Sequence, residues 1–474
     1  MRTLLALLIA TTTLAADSPS QWDVKEAPWP QVHGPYGNGS APEQGLALVE
    51  DITTARLVWK SEAIVPSSSP YVGKKKVAGG LWGGEYCSPI VADGKVYVAY
   101  WRLTGRKDWT VLKEDIQYWV KSGRNPINNR PETDTADDIL LAVDMKTGKT
   151  VFEKVTGTGK PIAGYKDGAH MACAWWKGKT VFVGVNQALY CVDGRSGEVA
   201  WKTGNKAKGG GRSAPTPVIS GGFVYCGGKG YDIETGKELW SMGRDFRPGR
   251  VDFGTPWMHN GVPYFIFNVG LIEAKTGKVK WTIDQGAAST GPSVWGDLLV
   301  LSNLGGNAQK RSDGDKPENW PKMGMPVFRI TPEKCEKIWQ APAPPGHGQQ
   351  YLRAIIHQGK AYGAQTHAPE DPKTRGRYDL AVALTNGKFV TQVKAGRLPL
   401  GYTPCAAEGR VWHAGGKSMK MGILEGEKFG TVTQLPNAAE TCGAAYANGH
   451  IYFRQRPEGK GQFRLVCYDL RATL

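Results

Sequence analysis

The sequence predicts an all-β fold: an eight-bladed β-propeller of four-stranded antiparallel blades, its ring closed by an N-terminal strand. Three observations carry this expectation. Gly and Pro supply 62 and 30 of the 474 residues, against roughly 12% together in average usage, which excludes a helical bundle or coiled coil. A strand-turn-strand motif recurs along the chain, and a second hairpin signal precedes each copy. Single hydrophobic cores stop growing near ~250–300 residues, so a chain of this length needs several domains or repeated units.

Taken in order, residues 1–16 (MRTLLALLIATTTLAA) combine basic Arg2, an apolar stretch from Leu4 to Ala10 and small residues at Ala15 and Ala16. That is the pattern of a secretory signal peptide. The first cysteine is Cys87, so no lipid-bearing cysteine follows the apolar stretch. Export to the periplasm or beyond, without a membrane anchor, is the expectation. No later run approaches the ~18 apolar residues of a membrane span. Residues 17–56 form a leader segment, and 57–474 are expected to be one propeller.

The turn motif reads AVDMKTGKTVF (142–152), CVDGRSGEVAW (191–201), GYDIETGKELW (230–240) and LIEAKTGKVKW (271–281). An acid (Asp144, Asp193, Asp232, Glu273) falls four residues before a Gly, and an aromatic (Phe152, Trp201, Trp240, Trp281) falls four after it. The acid can bond amides across the turn, the Gly takes a positive φ, and the aromatic packs on the next unit. RITPEKCEKIW (329–339) keeps Trp339 alone. Hairpin signals at 88–101, 172–185, 216–228, 255–267, 292–303, 354–365, 404–415 and 443–454 are β-rich runs broken at a turn glycine. Eight such pairs imply eight blades. The last unit supplies Asp469 but no tryptophan strand, whereas LVWKS (57–61) carries Trp59 with no partner of its own. The N-terminal strand should therefore complete the last blade and remove an open edge.

These residues resemble the quinoprotein-type propellers built of PQQ-like repeats, whose signature is Ala-x-Asp-x-x-Thr-Gly-Lys-x-x-Trp. WPQVHGPYGNG (29–39) is similar to a leader found ahead of such propellers in exported bacterial proteins. The resemblance implies fold more than function, because Asp, Gly and Trp build blades. The family includes calcium- and PQQ-dependent alcohol dehydrogenases and non-enzymatic scaffolds such as an outer-membrane assembly lipoprotein. Methanol-type dehydrogenases carry a disulfide between adjacent cysteines, and no two of the eight cysteines here are adjacent. With no CxxC or CxxCH either, covalent haem and structural zinc lose support.

A site is expected on the face opposite the motif turns, where the insertions fall: 102–138, with a helical pattern at 108–123, and 304–325. Residues entering the inner strands there, or ending the second strands, give the channel-mouth candidates Glu85, His170, Arg212, Arg247, Arg250, Asp252, Asn268, Asn303, Tyr351, Arg353 and Glu440. Lys206, Lys208 and Arg212 in one link, with Arg244, Arg247 and Arg250 in the next, suit an anionic guest: a carboxylate, a quinone acid or an acidic sugar. The rest of the +16 net charge decorates turns, which argues against a nucleic-acid partner. Glu85 with a channel asparagine is a candidate calcium set, with Asp252 or Glu440 as base. His170 reads more simply as a wall residue. Cys87 and Cys442 fall at equivalent heights in neighbouring blades, so a disulfide or soft-metal pair is open to them, while Cys191 and Cys467 read as core filler.

The functional expectation is a monomeric, non-catalytic scaffold binding a protein or an anionic small-molecule or glycan ligand. The alternatives are a PQQ- and calcium-dependent oxidoreductase of a sugar or alcohol, and an anionic polysaccharide-binding module. No cofactor is assured.

Overall fold

The computed structural model describes residues 20–65, 71–72, 75–76, 88–104, 135–159, 172–184, 188–204, 216–242, 254–267, 270–283, 291–301, 324–342, 353–367, 376–386, 389–394, 403, 405–415, 418–425, 428–430, 432–439, 443–456 and 463–472. Eight antiparallel sheets follow one another around a ring, numbered here as blades 1 to 8. Blade 1 runs Ile90–Ala92, Lys95–Leu103, Ala136–Asp144 and Thr150–Gly159, and blades 2 to 6 repeat that order. The first strand of each blade touches the first strand of the next, from Ile90–Ala92 round to Ala445–Ala447 and back, so these strands line the central channel. Ring closure is as the sequence predicts. Arg56–Ile64 pairs antiparallel with Arg464–Asp469, setting Trp59 opposite Cys467.

Local chemistry fixes the motif turns. Asp144 Oδ1 accepts the amides of Lys146 (3.1 Å) and Thr147 (2.8 Å), and Asp193 Oδ1 those of Arg195 (3.0 Å) and Ser196 (2.7 Å). Each outer strand then carries a one-residue bulge just before its aromatic, between Ala142 and Val143, Cys191 and Val192, Gly230 and Tyr231, and Leu271 and Ile272 on the partner strand. A bulge re-aims the residue beside it. Here it turns the ring toward the neighbouring blade, over a small residue such as Gly230, whose added Cβ would lie 2.1 Å from the Trp240 ring.

Trp59, Phe152, Trp201 and Trp240 land on the next blade's turn glycine, and the tryptophans lock to a carbonyl of the next blade. Trp59 Nε1 donates to Met145 O (3.0 Å), Trp201 to Ile233 O (2.8 Å), Trp240 to Ala274 O (2.9 Å), Trp281 to Thr331 O (2.8 Å) and Trp339 to Leu384 O (3.1 Å). A Cβ on Gly148, at φ 71°, would stand 2.6 Å from the Trp59 ring, so the glycine serves both the turn and the contact. Blade 1 has Phe152, which has no N–H. The equivalent carbonyl of Gly194 instead accepts the Tyr97 hydroxyl at 3.2 Å, from another strand of the same blade. Cys191 and Cys467 sit opposite Trp201 and Trp59, buried, with burial pushing both thiols up to about 12. They are the core filler expected of them.

Blade 7 departs from four strands: Ser418–Glu425 is followed by two short partners, Lys428–Phe429 and Thr433–Pro436. Their registers differ by one residue, Leu424 facing Phe429 and Met421 facing Thr433. The fourth strand is thus one strand interrupted by a bulge near Gly430.

Closure is also electrostatic. Asp469 accepts from Arg471 at 2.8 and 2.7 Å and from Arg56 at 3.1 Å, and these bonds hold its carboxyl far below the usual carboxylate range.

Replacing Trp240 by Phe keeps the ring and removes the N–H, and Tyr97→Phe does the same in blade 1. Each should cost about 1 kcal/mol, read from urea unfolding midpoints. For Asp469, the folded carboxyl stays ionised where the unfolded one, with pKa near ~3.9, takes a proton. Its contribution is therefore complete above about pH 4 and lost as pH falls below that. Asp469→Asn should lower the melting temperature at neutral pH and flatten the acid limb between about pH 4 and 2.5, measured by thermal scans across pH.

Candidate functional site

The leader lies inside the ring. Val91 and Trp29 exchange amide bonds at 2.8 and 3.1 Å in blade 1, and Trp175 N donates to Pro30 O at 2.8 Å in blade 2. Gln21 bonds Ile219 O and Gly221 N, both at 2.7 Å, in blade 3. The Thr255 hydroxyl of blade 4 donates to Gly37 O at 3.5 Å, and Asn38 Nδ2 to Val294 O of blade 5 at 3.2 Å. Ile356 N of blade 6 donates to Asn38 O at 3.3 Å, and Ala406 N of blade 7 to Gly39 O at 2.7 Å. Gln44 Nε2 reaches Asn448 Oδ1 of blade 8 at 2.8 Å. One segment of chain thus touches all eight blades.

Both limbs of this loop leave by the face that carries the motif turns. Glu26 O accepts Asp93 N (2.8 Å), and Gln44 N donates to Glu408 Oε1, Asp93 and Glu408 both being first-hairpin turn residues. The tip, around Gly34–Gly39, is deepest. Gly34 (φ 71°) and Gly37 (φ 65°) make the reversal, and added Cβ atoms would lie 2.8 Å from Trp29 and 2.9 Å from Thr255. The glycine spacing of HGPYGNG is therefore set by a backbone folded tightly against channel walls. This leaves a shallow open cleft beside Ser20–Trp22 and Pro256–Met258.

Behind the tip sits Arg353, just ahead of the blade 6 inner strand Ile355–His357 and 2% exposed. Its Nε donates to Ser293 Oγ at 3.2 Å. Its Nη2 faces Gly37 O, Thr255 Oγ1 and Pro292 O, so one guanidinium joins blades 4, 5 and 6 to the leader. Nη1 has no hydrogen-bond partner and no carboxylate pairs with the group among the described residues. Burial draws the guanidinium pKa down to about 9. His33, on the leader and 4% exposed, is held well below the usual histidine range by burial and then by the Arg353 charge.

Of the channel-mouth candidates, Arg353 alone lies among the described residues. Glu85, His170, Arg212, Arg247, Arg250, Asp252, Asn268, Asn303, Tyr351 and Glu440 lie outside them, as do Cys87, Cys442, the basic links and most of both long insertions. His33 is a channel residue that sequence reasoning did not single out, although the spacing of Gly34, Gly37 and Gly39 around it marked a tight turn. No group of three or more His, Cys, Asp or Glu capable of holding a metal ion occurs among the described residues. None of their helices is long and apolar enough to cross a membrane.

The family model described as outer membrane protein assembly factor BamB matches residues 40–229 and 136–298. No curated protein matches the chain. Among solved structures, a quinohemoprotein alcohol dehydrogenase from Comamonas testosteroni is similar over 95% of this chain and 81% of its own, at 13% identity and a TM-score of 0.55. The quinohemoprotein alcohol dehydrogenase ADHIIG from Pseudomonas putida HK5 is 12% identical, with 94% and 80% covered and a TM-score of 0.52. A europium-containing methanol dehydrogenase is 10% identical, with 94% and 98% covered and a TM-score of 0.53. At these identities the likeness is one of fold.

His33 should make stability fall with acid. An unfolded histidine takes a proton near pH ~6.5, whereas the buried ring stays neutral, so stability drops as pH falls below that value, by up to about 1.4 kcal/mol per pH unit. Thermal scans of His33→Gln between pH 7.5 and 5 should show a shallower slope than those of the unaltered protein.

Proposed function

The chain belongs to the PQQ-like β-propeller family that the assembly-factor model describes, and from that premise we propose an exported, monomeric binding scaffold that takes an anionic ligand into its channel from the insertion-bearing face. One observation carries the reading: Arg353 is a buried cation with a free amino group and no acid beside it among the described residues. An isolated charge held out of water costs several kcal/mol. A ligand carboxylate offsets that cost, and a guanidinium is the side chain best shaped for it. The leader fills the other mouth of the channel, which favours entry from the face of the insertions. The basic residues Lys206, Lys208, Arg212, Arg244, Arg247 and Arg250 give an approaching anion the right field. The pattern of residues 1–16 supports export.

A second reading is a quinoprotein-type oxidoreductase. The names of the similar dehydrogenases support it, and a free buried Arg353 amino group fits a carboxylate of a quinone acid. Such a quinone would supply the two-electron acceptor for alcohol or sugar oxidation. Glu85, Asn268 and Asn303 are the residues that would supply oxygen donors to calcium.

Isothermal titration and thermal shift with mono-, di- and tricarboxylates, PQQ with Ca²⁺, and a sulfated glycan separate these readings. The scaffold reading expects saturable carboxylate binding, about 2.7 kcal/mol of stabilisation at 100-fold excess over Kd, and at least ten-fold weaker binding in Arg353→Lys. Dye-linked turnover of alcohols or sugars with PQQ and Ca²⁺ would overturn it for the oxidoreductase. Salt-sensitive glycan retention lost on replacing Arg212, Arg247 and Arg250 would instead assign a polysaccharide ligand.

A further inference from the structure

Each inner strand enters the channel from the end away from the motif turns, and its entry residue can be matched from blade to blade. Ser88, Thr216, Thr255, Arg353 and Thr403 each stand five residues ahead of the left-handed residue of their inner hairpin turn, at Asp93, Gly221, Asn260, Gln358 and Glu408. Blades 1, 3, 4, 6 and 7 therefore carry four hydroxyls and one guanidinium at one height, none of them more than 6% exposed. Blades 5 and 8 have Gly291 and Gly443 at that position, ahead of Gly296 and Asn448.

Contacts between blades show that these residues meet. Across blade 8, a Cβ on Gly443 would stand 2.6 Å from both Ser88 Oγ and Thr403 Oγ1. Ser88 Oγ accepts Gly443 N at 2.8 Å. Across blade 5, Arg353 reaches the Thr255 hydroxyl, which itself donates to Pro292 O at 2.6 Å. The entry residues thus form a polar belt around the channel, and the leader tip lies against it, since Gly37 O accepts from both Arg353 and Thr255.

Three groups of the belt are unused. Thr216 Oγ1, Thr403 Oγ1 and Arg353 Nη1 are buried and have no hydrogen-bond partner. Buried polar side chains nearly always have one, and leaving a donor unpaired costs free energy. Blades 6 and 7 are neighbours, whereas blade 3 stands directly across the ring from blade 7. Two spare donors, one of them charged, therefore share a wall, and the third belongs to the opposite one.

We propose that the belt is a binding site for a small bifunctional acid, its carboxylate held by Arg353 and Thr403 and a second oxygen function held by Thr216. This rests on the anion reading above and narrows it. A carboxylate has lone pairs enough for a guanidinium and a hydroxyl together. Donors on opposite walls call for acceptors at both ends of the guest. The leader tip under the belt stops a polymer from threading the channel, so the guest is a free acid.

Calorimetric titration of the full chain with acetate and with the linear dicarboxylates from succinate to suberate tests the proposal. One chain length should bind at least ten-fold more tightly than acetate. Thr403→Val, which keeps the side-chain shape and removes the hydroxyl, should weaken acetate and dicarboxylate alike by about ten-fold. Thr216→Val should bring the preferred dicarboxylate back to the affinity of acetate and leave acetate unchanged, because a site built around a hydrogen bond discriminates by it. Neither valine should lower the melting temperature of the unliganded protein. A clear fall in either would show that its hydroxyl is structural and overturn the proposal. So would dicarboxylates that bind no better than acetate, or carboxylate binding lost in Arg353→Lys yet untouched by both valines, and each of these leaves the anion reading standing. Failure of every carboxylate to bind the unaltered protein would overturn both.

Discussion

An indole N–H reaching a backbone carbonyl of the next blade locks five of the eight seams, and at Trp59, Trp201 and Trp240 it does so over a glycine that leaves room for the ring. Everything else in the blade serves that contact. The aspartate shapes the turn that presents the carbonyl, and the bulge aims the aromatic. A small residue beneath it, Cys191 or Gly230, makes space. The bond works together with apolar contact between blades, since one buried cluster runs through blades 7, 8, 1, 2 and 3. Blade 1 shows that the bond matters more than the residue supplying it, for Tyr97 brings the donor when Phe152 cannot.

The same constraint gives the molecule two unlike faces. Motif turns and carbonyl receivers all point one way, and the leader enters and leaves among them, so that side is spent on holding the ring together. Our proposal assigns recognition to the opposite side, on a scaffold whose channel strands are fixed from behind. Arg353 stands at the boundary. Its four contacts are structural, and its remaining amino group is the chemical reason to look for an anion.

The blades were legible because their chemistry is local. Asp, Gly and Trp lie within nine residues of one another, and the period repeats, so the count of eight and the closing role of the strand around Trp59 could be read directly. Tyr97 could not be, since it compensates from a different strand, and neither could the bulge in blade 7. The leader could be matched to similar leaders but not placed, because its bonds join residues such as Asn38 and Val294 that lie far apart in sequence. Arg353 was readable as a channel residue from its position before an inner strand. Its burial against Gly37 was not, for that follows from the leader filling the channel.

The leader's contacts also impose an order of events. The leader and the closing strand bond to blade 8 through Val49 and Leu470 and through Ser61 and Leu465. The closing strand cannot dock until its partner Arg464–Asp469 exists, and such distant pairings make folding slow. Until then the blades are an open row with sheet edges and inner strands exposed. The propeller is therefore assembled as a file and sealed in one late step, and the chain's vulnerability to aggregation and proteolysis is concentrated in the interval before its own beginning and end meet.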